Sequence, residues 1–134
     1  MILIVCLDDK NGMMFNRRRQ SKDSAVRADM IAEAGGKPLW MNSYSAKQFE
    51  EPEAVINIDE EFMDNASGGD FCFLEGEGAS AAEDRIGKLI VYKWNRLYPS
   101  DVKFDIDLDG WKLESTDEFA GSSHEKITKE VYIK

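Results

Sequence analysis

Histidine is nearly missing from this chain: His124 is the only one in 134 residues. That count removes several mechanisms. A zinc phosphodiesterase of the metallo-β-lactamase type needs an H-x-H-x-D-H cluster, and a two-histidine ribonuclease site needs a second imidazole. A structural zinc site built from both cysteines and His124 lacks a fourth ligand. Cysteine is scarce too. Cys6 and Cys72 each sit inside an apolar run, so buried free thiols are expected and a disulfide framework is not. Basic residues are outnumbered, 17 Lys and Arg against 26 Asp and Glu, for a net charge of −9. Such a chain repels phosphate backbones, which argues against general nucleic-acid binding. Long apolar runs are absent as well, and no stretch approaches the roughly 18 residues of a membrane span. The short run before Asp8 has no basic flank and no small-residue cleavage site. The expectation is a cytoplasmic protein with no membrane partner.

What remains is ordinary globular composition, 43% hydrophobic and 32% charged. The length suits a single domain over 1–134, large enough to bury roughly two-thirds of its unfolded surface. Residues 1–8 read as a buried strand, continuous in apolar residues and rich in β-branched ones. Asp9 to Gly12 reads as a turn, and residues 13–20 show no clear period. A helix follows over about 22–34, capped by Ser21 and ended by Gly35-Gly36. Strands are expected at 37–42, 54–58, 71–74 and 88–94. Short helices are expected at 46–51, 59–66 and 79–86. This alternation predicts α/β architecture with parallel neighbours. Over 102–108 apolar residues alternate with Lys103, Asp105 and Asp107, the pattern of a half-exposed strand. Residues 111–119 read as a connecting loop, and 127–133 alternates again. The finish is therefore expected to be an antiparallel pair.

Chemistry concentrates in few places. Glu75-Gly76-Glu77-Gly78 follows a strand and precedes a helix, the setting in which a phosphate is cradled, yet both glutamates put negative charge there. Arg17-Arg18-Arg19 is the one basic concentration, suited to a carboxylate or phosphate. Asp23 is either a first-turn acid favoured by the helix dipole or a carboxylate working in a cleft. Asp105, Asp107 and Asp109 lack the terminal glutamate of a calcium loop, so no metal residues are assigned. His124, in a polar loop, is expected at the surface.

Taken in order, these segments resemble the dihydrofolate reductase family. Asp9-Lys10-Asn11-Gly12-Met13-Met14 is similar to its D-x-N-G-x-I turn, and Lys37-Pro38-Leu39-Trp40-Met41 to its second strand. The stretch from Phe71 through Gly78 to Val91 looks like its glycine-pair turn, helix and strand. Asp109-Gly110-Trp111, Glu118-Phe119 and Val131-Tyr132-Ile133 look like its ending. The resemblance implies a three-layer α/β fold with a mixed, mostly parallel sheet and antiparallel C-terminal strands, shortened by about one strand–helix unit between residues 50 and 70. It implies an oxidoreductase using NADPH on a pterin. Asp23 stands in the place of the catalytic carboxylate. Asn42, Ser43, Ser45, Gly76 and Gly78 stand where the family holds its cofactor. Arg17, Arg18, Arg19, Cys6 and Tyr92 are the implied ligand contacts. Three departures weaken the cofactor site: the glycine and arginine after the second strand are gone, the glycine pair is Glu75-Gly76, and arginines replace a tryptophan-containing loop. At about 1.5–3 kcal/mol for each charge-assisted contact, these losses argue against NADPH-dependent reduction. The expected function is binding of a small pterin-like or nucleotide-like ligand near Asp23. The alternatives are a non-catalytic interaction module or homodimer on the same fold and, behind it, a metal-dependent hydrolase or nuclease.

Overall fold

The most apolar stretch becomes the centre of the sheet. In the computed structural model, which describes residues 1–134, β1 (Ile2–Leu7) pairs in parallel with β6 (Phe71–Phe73) on one side and β7 (Lys88–Lys93) on the other. Leu3, Ile4, Val5 and Leu7 are fully buried. Both faces of β1 are covered, so its sequence shows a continuous run and no alternation.

The other strands add outward: β4 (Leu39–Met41) beside β6, then β5 (Ile56–Ile58) at one edge. On the far side β10 (Ile127–Ile133) runs antiparallel to β7, and β9 (Lys112–Phe119) closes the other edge. The seven-stranded order is β5-β4-β6-β1-β7-β10-β9. One face carries α1 (Ser24–Ala34), whose Val26, Met30 and Ala34 pack on Ile4, Phe73, Ile90 and Tyr92. On the other face Phe62 of α3 (Phe62–Asn65), Ile86, Phe104, Ile106 and Trp111 cover Leu3, Val5, Leu89 and Val91. The mixed, mostly parallel sheet with an antiparallel finish, layered on both faces, is thus present.

Several elements depart from the sequence expectation. The 13–20 stretch forms a hairpin, β2 (Gly12–Phe15) with β3 (Arg18–Arg19), turning through Asn16 and Arg17, both at positive φ. Only β8 (Val102–Lys103) of the expected 102–108 strand pairs, and its partner is β2. Alternation there records Phe104 and Ile106 pointing into the core. The backbone is fixed instead by Asp105, whose carboxylate accepts from Ala79 N, Ser80 N and Ser80 Oγ. The antiparallel partner of β10 is β9, expected as a loop. Residues 112–118 are exposed, so no apolar face marks the strand in sequence. The 79–86 helix is a 3₁₀ turn over Ser80–Arg85. The turn α2 begins earlier than expected, at Ser43–Ala46, because Asn42 caps it by accepting from Ser45 N. Asp23, not Ser21, caps α1.

Candidate functional site

Parallel sheets bind ligands outside the carboxyl ends of their strands, where chain direction across the sheet reverses. Here the chain leaves β1 for β4 on one side, steps outward to β5, returns to β6 beside β1, and then crosses to β7 on the other side. At that place lies a cavity of about 640 Å³, lined by Asn42 and Tyr44 after β4, Glu60 after β5, and Gly76 and Glu77 after β6. Met14, Arg17, Asp101 and Val102 complete it. Three carboxylates face one guanidinium. Partial loss of solvent, then the like charges of Asp64 and Glu60, raise the Glu77 carboxyl above its usual range. An adjoining groove of about 260 Å³ shares Glu60 and Glu77 and adds Glu61, Asp64, Gly78 and Arg85. Met14 packs close over Gly76: a Cβ there would lie 2.6 Å from Met14 Sδ, so any larger residue would have to displace that thioether.

The β2–β3 hairpin is one wall. Arg19 anchors it. Its Nε donates to Glu75 Oε2 at 2.9 Å and its Nη2 to Glu75 Oε1 at 3.1 Å and to the Tyr44 carbonyl at 3.1 Å. The guanidinium lies 4.3 Å from the Tyr44 ring centroid, and the Tyr44 hydroxyl accepts from Arg19 N. Glu75, which would repel a phosphate as a free charge, is instead neutralised. Arg18 and Arg19 also line a second cavity of about 410 Å³ with Phe15, Asn16, Gln20, Tyr98 and Pro99. No carboxylate lines it.

Asp23 lies in neither cavity. Its carboxylate is buried beneath residues 121–124. It accepts from Ala25 N at the helix start, from Ser122 N and Oγ, from Ser123 N and Oγ, and from His124 Nδ1 at 3.1 Å. A carboxylate has about four lone-pair sites, so this set fills its capacity within the chain. Burial alone would raise its pKa. The backbone N–H groups of Ser122 and Ser123, with His124 and Ala25, overcome that and hold the carboxyl far below its usual range. His124, expected at the surface, is buried. Its ring stacks on Trp94 with centroids 4.6 Å apart, and its Nε2 lies 2.9 Å from the Tyr98 hydroxyl.

The remaining predicted residues separate. Ser43 bonds Glu60 through its N and Oγ, whereas Ser45, on the inner side of α2, is fully buried. Cys6 and Tyr92 are cross-strand partners on β1 and β7. Loss of solvent, then Glu75 and Asp23, push the Cys6 thiol well up, so it stays protonated. The Tyr92 hydroxyl donates to Asp29, which also pairs with Lys129. The structure therefore brings Arg17, Asn42 and Gly76 to one cavity, places Gly78 in the adjoining groove and Arg18 and Arg19 in the second cavity, and leaves Asp23, Cys6 and Tyr92 lining none of these spaces. Tyr98 and the burial of His124 carried no sequence signal, because a lone histidine among serines reads as surface until the chain folds over it. No group of three or more His, Cys, Asp or Glu side chains converges as a metal site would require, and no helix is long and apolar enough to cross a membrane.

Layers, strand order and the crevice at the reversal point define a doubly covered α/β fold with an open cavity at the strand ends. Among solved structures the chain is similar to dihydrofolate reductase from Enterococcus faecalis complexed with NADP(H) and RAB-propyl, with a TM-score of 0.70, 11% identity, 98% of this chain covered and 94% of that one. The fold is dihydrofolate reductase-like and the sequence is far diverged. No family profile and no curated protein matches it.

Proposed function

We propose that this chain binds a small donor-rich heteroaromatic molecule, pterin-like or nucleoside-like, in the 640 Å³ cavity, and that it does not reduce it with NADPH. The observation carrying this reading is the lining itself. Tyr44, Met14 and Val102 offer apolar contact to a planar ring, while Glu60, Glu77 and Asp101 offer acceptors to amino and ring N–H groups. A dinucleotide brings several negative charges, and at this mouth they would meet three carboxylates and the single guanidinium of Arg17. Like charges desolvated together cost several-fold more than the same pair in water. Arg17, Asn42 and Gly76 are the proposed contacts from the sequence-derived set. The similar solved structure carries NADP(H), so NADPH is the informative comparison ligand.

Calorimetric titration of the full chain with neopterin, guanosine and NADPH tests the reading. The expected order is neopterin or guanosine bound and NADPH at least tenfold weaker. Glu77 makes no hydrogen bond, and Glu77→Lys is expected to weaken the neutral ligand several-fold while strengthening NADPH. Tight NADPH binding by the unmodified chain, with turnover of dihydrofolate, would overturn the proposal.

A further inference from the structure

The second cavity lies beside a different piece of chemistry. Tyr98 lines it, and the Tyr98 hydroxyl is 2.9 Å from His124 Nε2. The other ring nitrogen, Nδ1, is 3.1 Å from the buried carboxylate of Asp23. A carboxylate only accepts, so Nδ1 carries the hydrogen; in the neutral imidazole Nε2 then keeps a lone pair for the phenolic O–H. Trp94 holds the imidazole face, and the Tyr98 ring meets it edge-on at 6.4 Å. Hydroxyl, base and orienting acid in hydrogen-bonded series is the arrangement by which enzymes activate an oxygen nucleophile. Gly121 is demanded by the same cluster: a Cβ would sit 2.5 Å from Asp23 Oδ2 and 2.8 Å from the His124 carbonyl oxygen.

The surroundings indicate what such a nucleophile would meet. Phe15 is 48% exposed beside Arg18 on the hairpin; no carboxylate lines the space between the hairpin and Tyr98, and the adjoining Asp8 carboxylate is already engaged by Lys10 N, Gly12 N, Gln20 Nε2 and Tyr98 N. Arg19 is already neutralised by Glu75, so Arg18 is the free cation. In a chain of net charge −9 this is a local basic opening with an aromatic platform.

We propose that Tyr98 is a nucleophile for acyl transfer, with His124 as its general base and Asp23 as the positioning residue, acting on an ester whose acyl or leaving group carries an aromatic ring and an anionic group. The Tyr98 oxygen attacks the ester carbonyl and forms a C–O bond while His124 Nε2 takes the phenolic proton. The tetrahedral intermediate collapses, the original C–O bond breaks, and the leaving alcohol takes that proton from His124. Water, deprotonated by His124, then attacks the acyl-tyrosine, releasing the acid and returning the proton to Tyr98. Ester and water give acid and alcohol, and nothing is oxidised or reduced. Arg18 holds the anionic group, and Phe15 packs on the ring.

The probe is 4-acetoxybenzoate, incubated with the full chain. The expected result is release of 4-hydroxybenzoate above background, with an acetyl group on Tyr98 detected by peptide mass mapping after acid quench. Tyr98→Phe removes one oxygen, and it is expected to keep the melting temperature within a few degrees while dropping the rate about a hundredfold or more, toward background. Arg18→Gln is expected to raise KM for 4-acetoxybenzoate severalfold but to leave hydrolysis of uncharged phenyl acetate unchanged. Asp23→Asn is expected to lower kcat with KM held, the signature of action through His124. Equal rates for the unmodified chain and Tyr98→Phe, or acetyl found on lysines and not on Tyr98, would overturn the proposal.

Discussion

Burial alone would push the Asp23 carboxyl toward its neutral form, and the chain overrides this with backbone N–H groups from both sides. The helix start supplies Ala25 N, and a loop one hundred residues away supplies Ser122 N and Ser123 N. A carboxyl held below its unfolded value of about 3.9 stabilises the fold above that pH, and the contribution is lost as pH falls through and below it. The unmodified chain should therefore lose stability between about pH 5 and pH 2. Asp23→Asn should cost ~2–4 kcal/mol at pH 7, in the range for breaking a buried hydrogen-bonded charge. The difference between the two proteins should narrow on acidification, and urea unfolding at pH 7 and pH 3 measures it. A constant difference would show that the native carboxyl is not held ionised. Asp23 was legible in the sequence as a helix-start acid. Its neighbours were not, since nothing local ties residue 23 to residues 122–124.

At the scale of elements, the 121–124 loop joins the start of α1 to the end of β7, and Gly121 permits it. Gly121→Ala should cost on the order of 1–3 kcal/mol, because one of the two close contacts is the His124 carbonyl oxygen, which is backbone and cannot swing aside. Thermal melting checks the stability, and Trp94 fluorescence reports whether His124 still stacks on it. A variant as stable as the parent, with unchanged fluorescence, would mean the loop has slack that the contacts deny. The central strands β1, β6 and β7 and the helix α1 were readable because burial writes itself into apolar runs and helical spacing. The hairpin was not. Arg18 and Arg19 belong to a strand whose stability rests on Arg19 bridging Glu75 and stacking on Tyr44. Those partners lie 56 and 25 residues away.

For the molecule as a whole, the exposed edge is the notable liability. β9 offers an unpaired strand edge over Lys112–Phe119. Edge strands invite pairing with another chain unless charge prevents it. Two copies of β9 paired antiparallel about Ser115 and Thr116 would set Glu114 opposite Asp117, and directly opposed like charges are destabilising. Replacing both with valine should produce higher-mass species in light scattering at concentrations where the parent keeps its own mass. An unchanged mass would show that something other than charge guards this edge. The overall charge of −9 acts in the same direction, keeping copies apart.

The amino-acid sequence on its own determined the α/β class, the parallel centre, the antiparallel ending and the acidic surface, because strand burial, helix spacing and charge balance are properties of neighbouring residues. Tertiary structure alone decided which charges remain free. Arg19 and Glu75 cancel, Asp23 is consumed by a distant loop, His124 is drawn inside between Trp94 and Tyr98, and the open cavities are left with opposite character, one ringed by carboxylates and one by Arg18. Ionic and hydrogen-bonding partners are chosen by distance in space, and only the folded chain brings residues a hundred positions apart within 3 Å of each other.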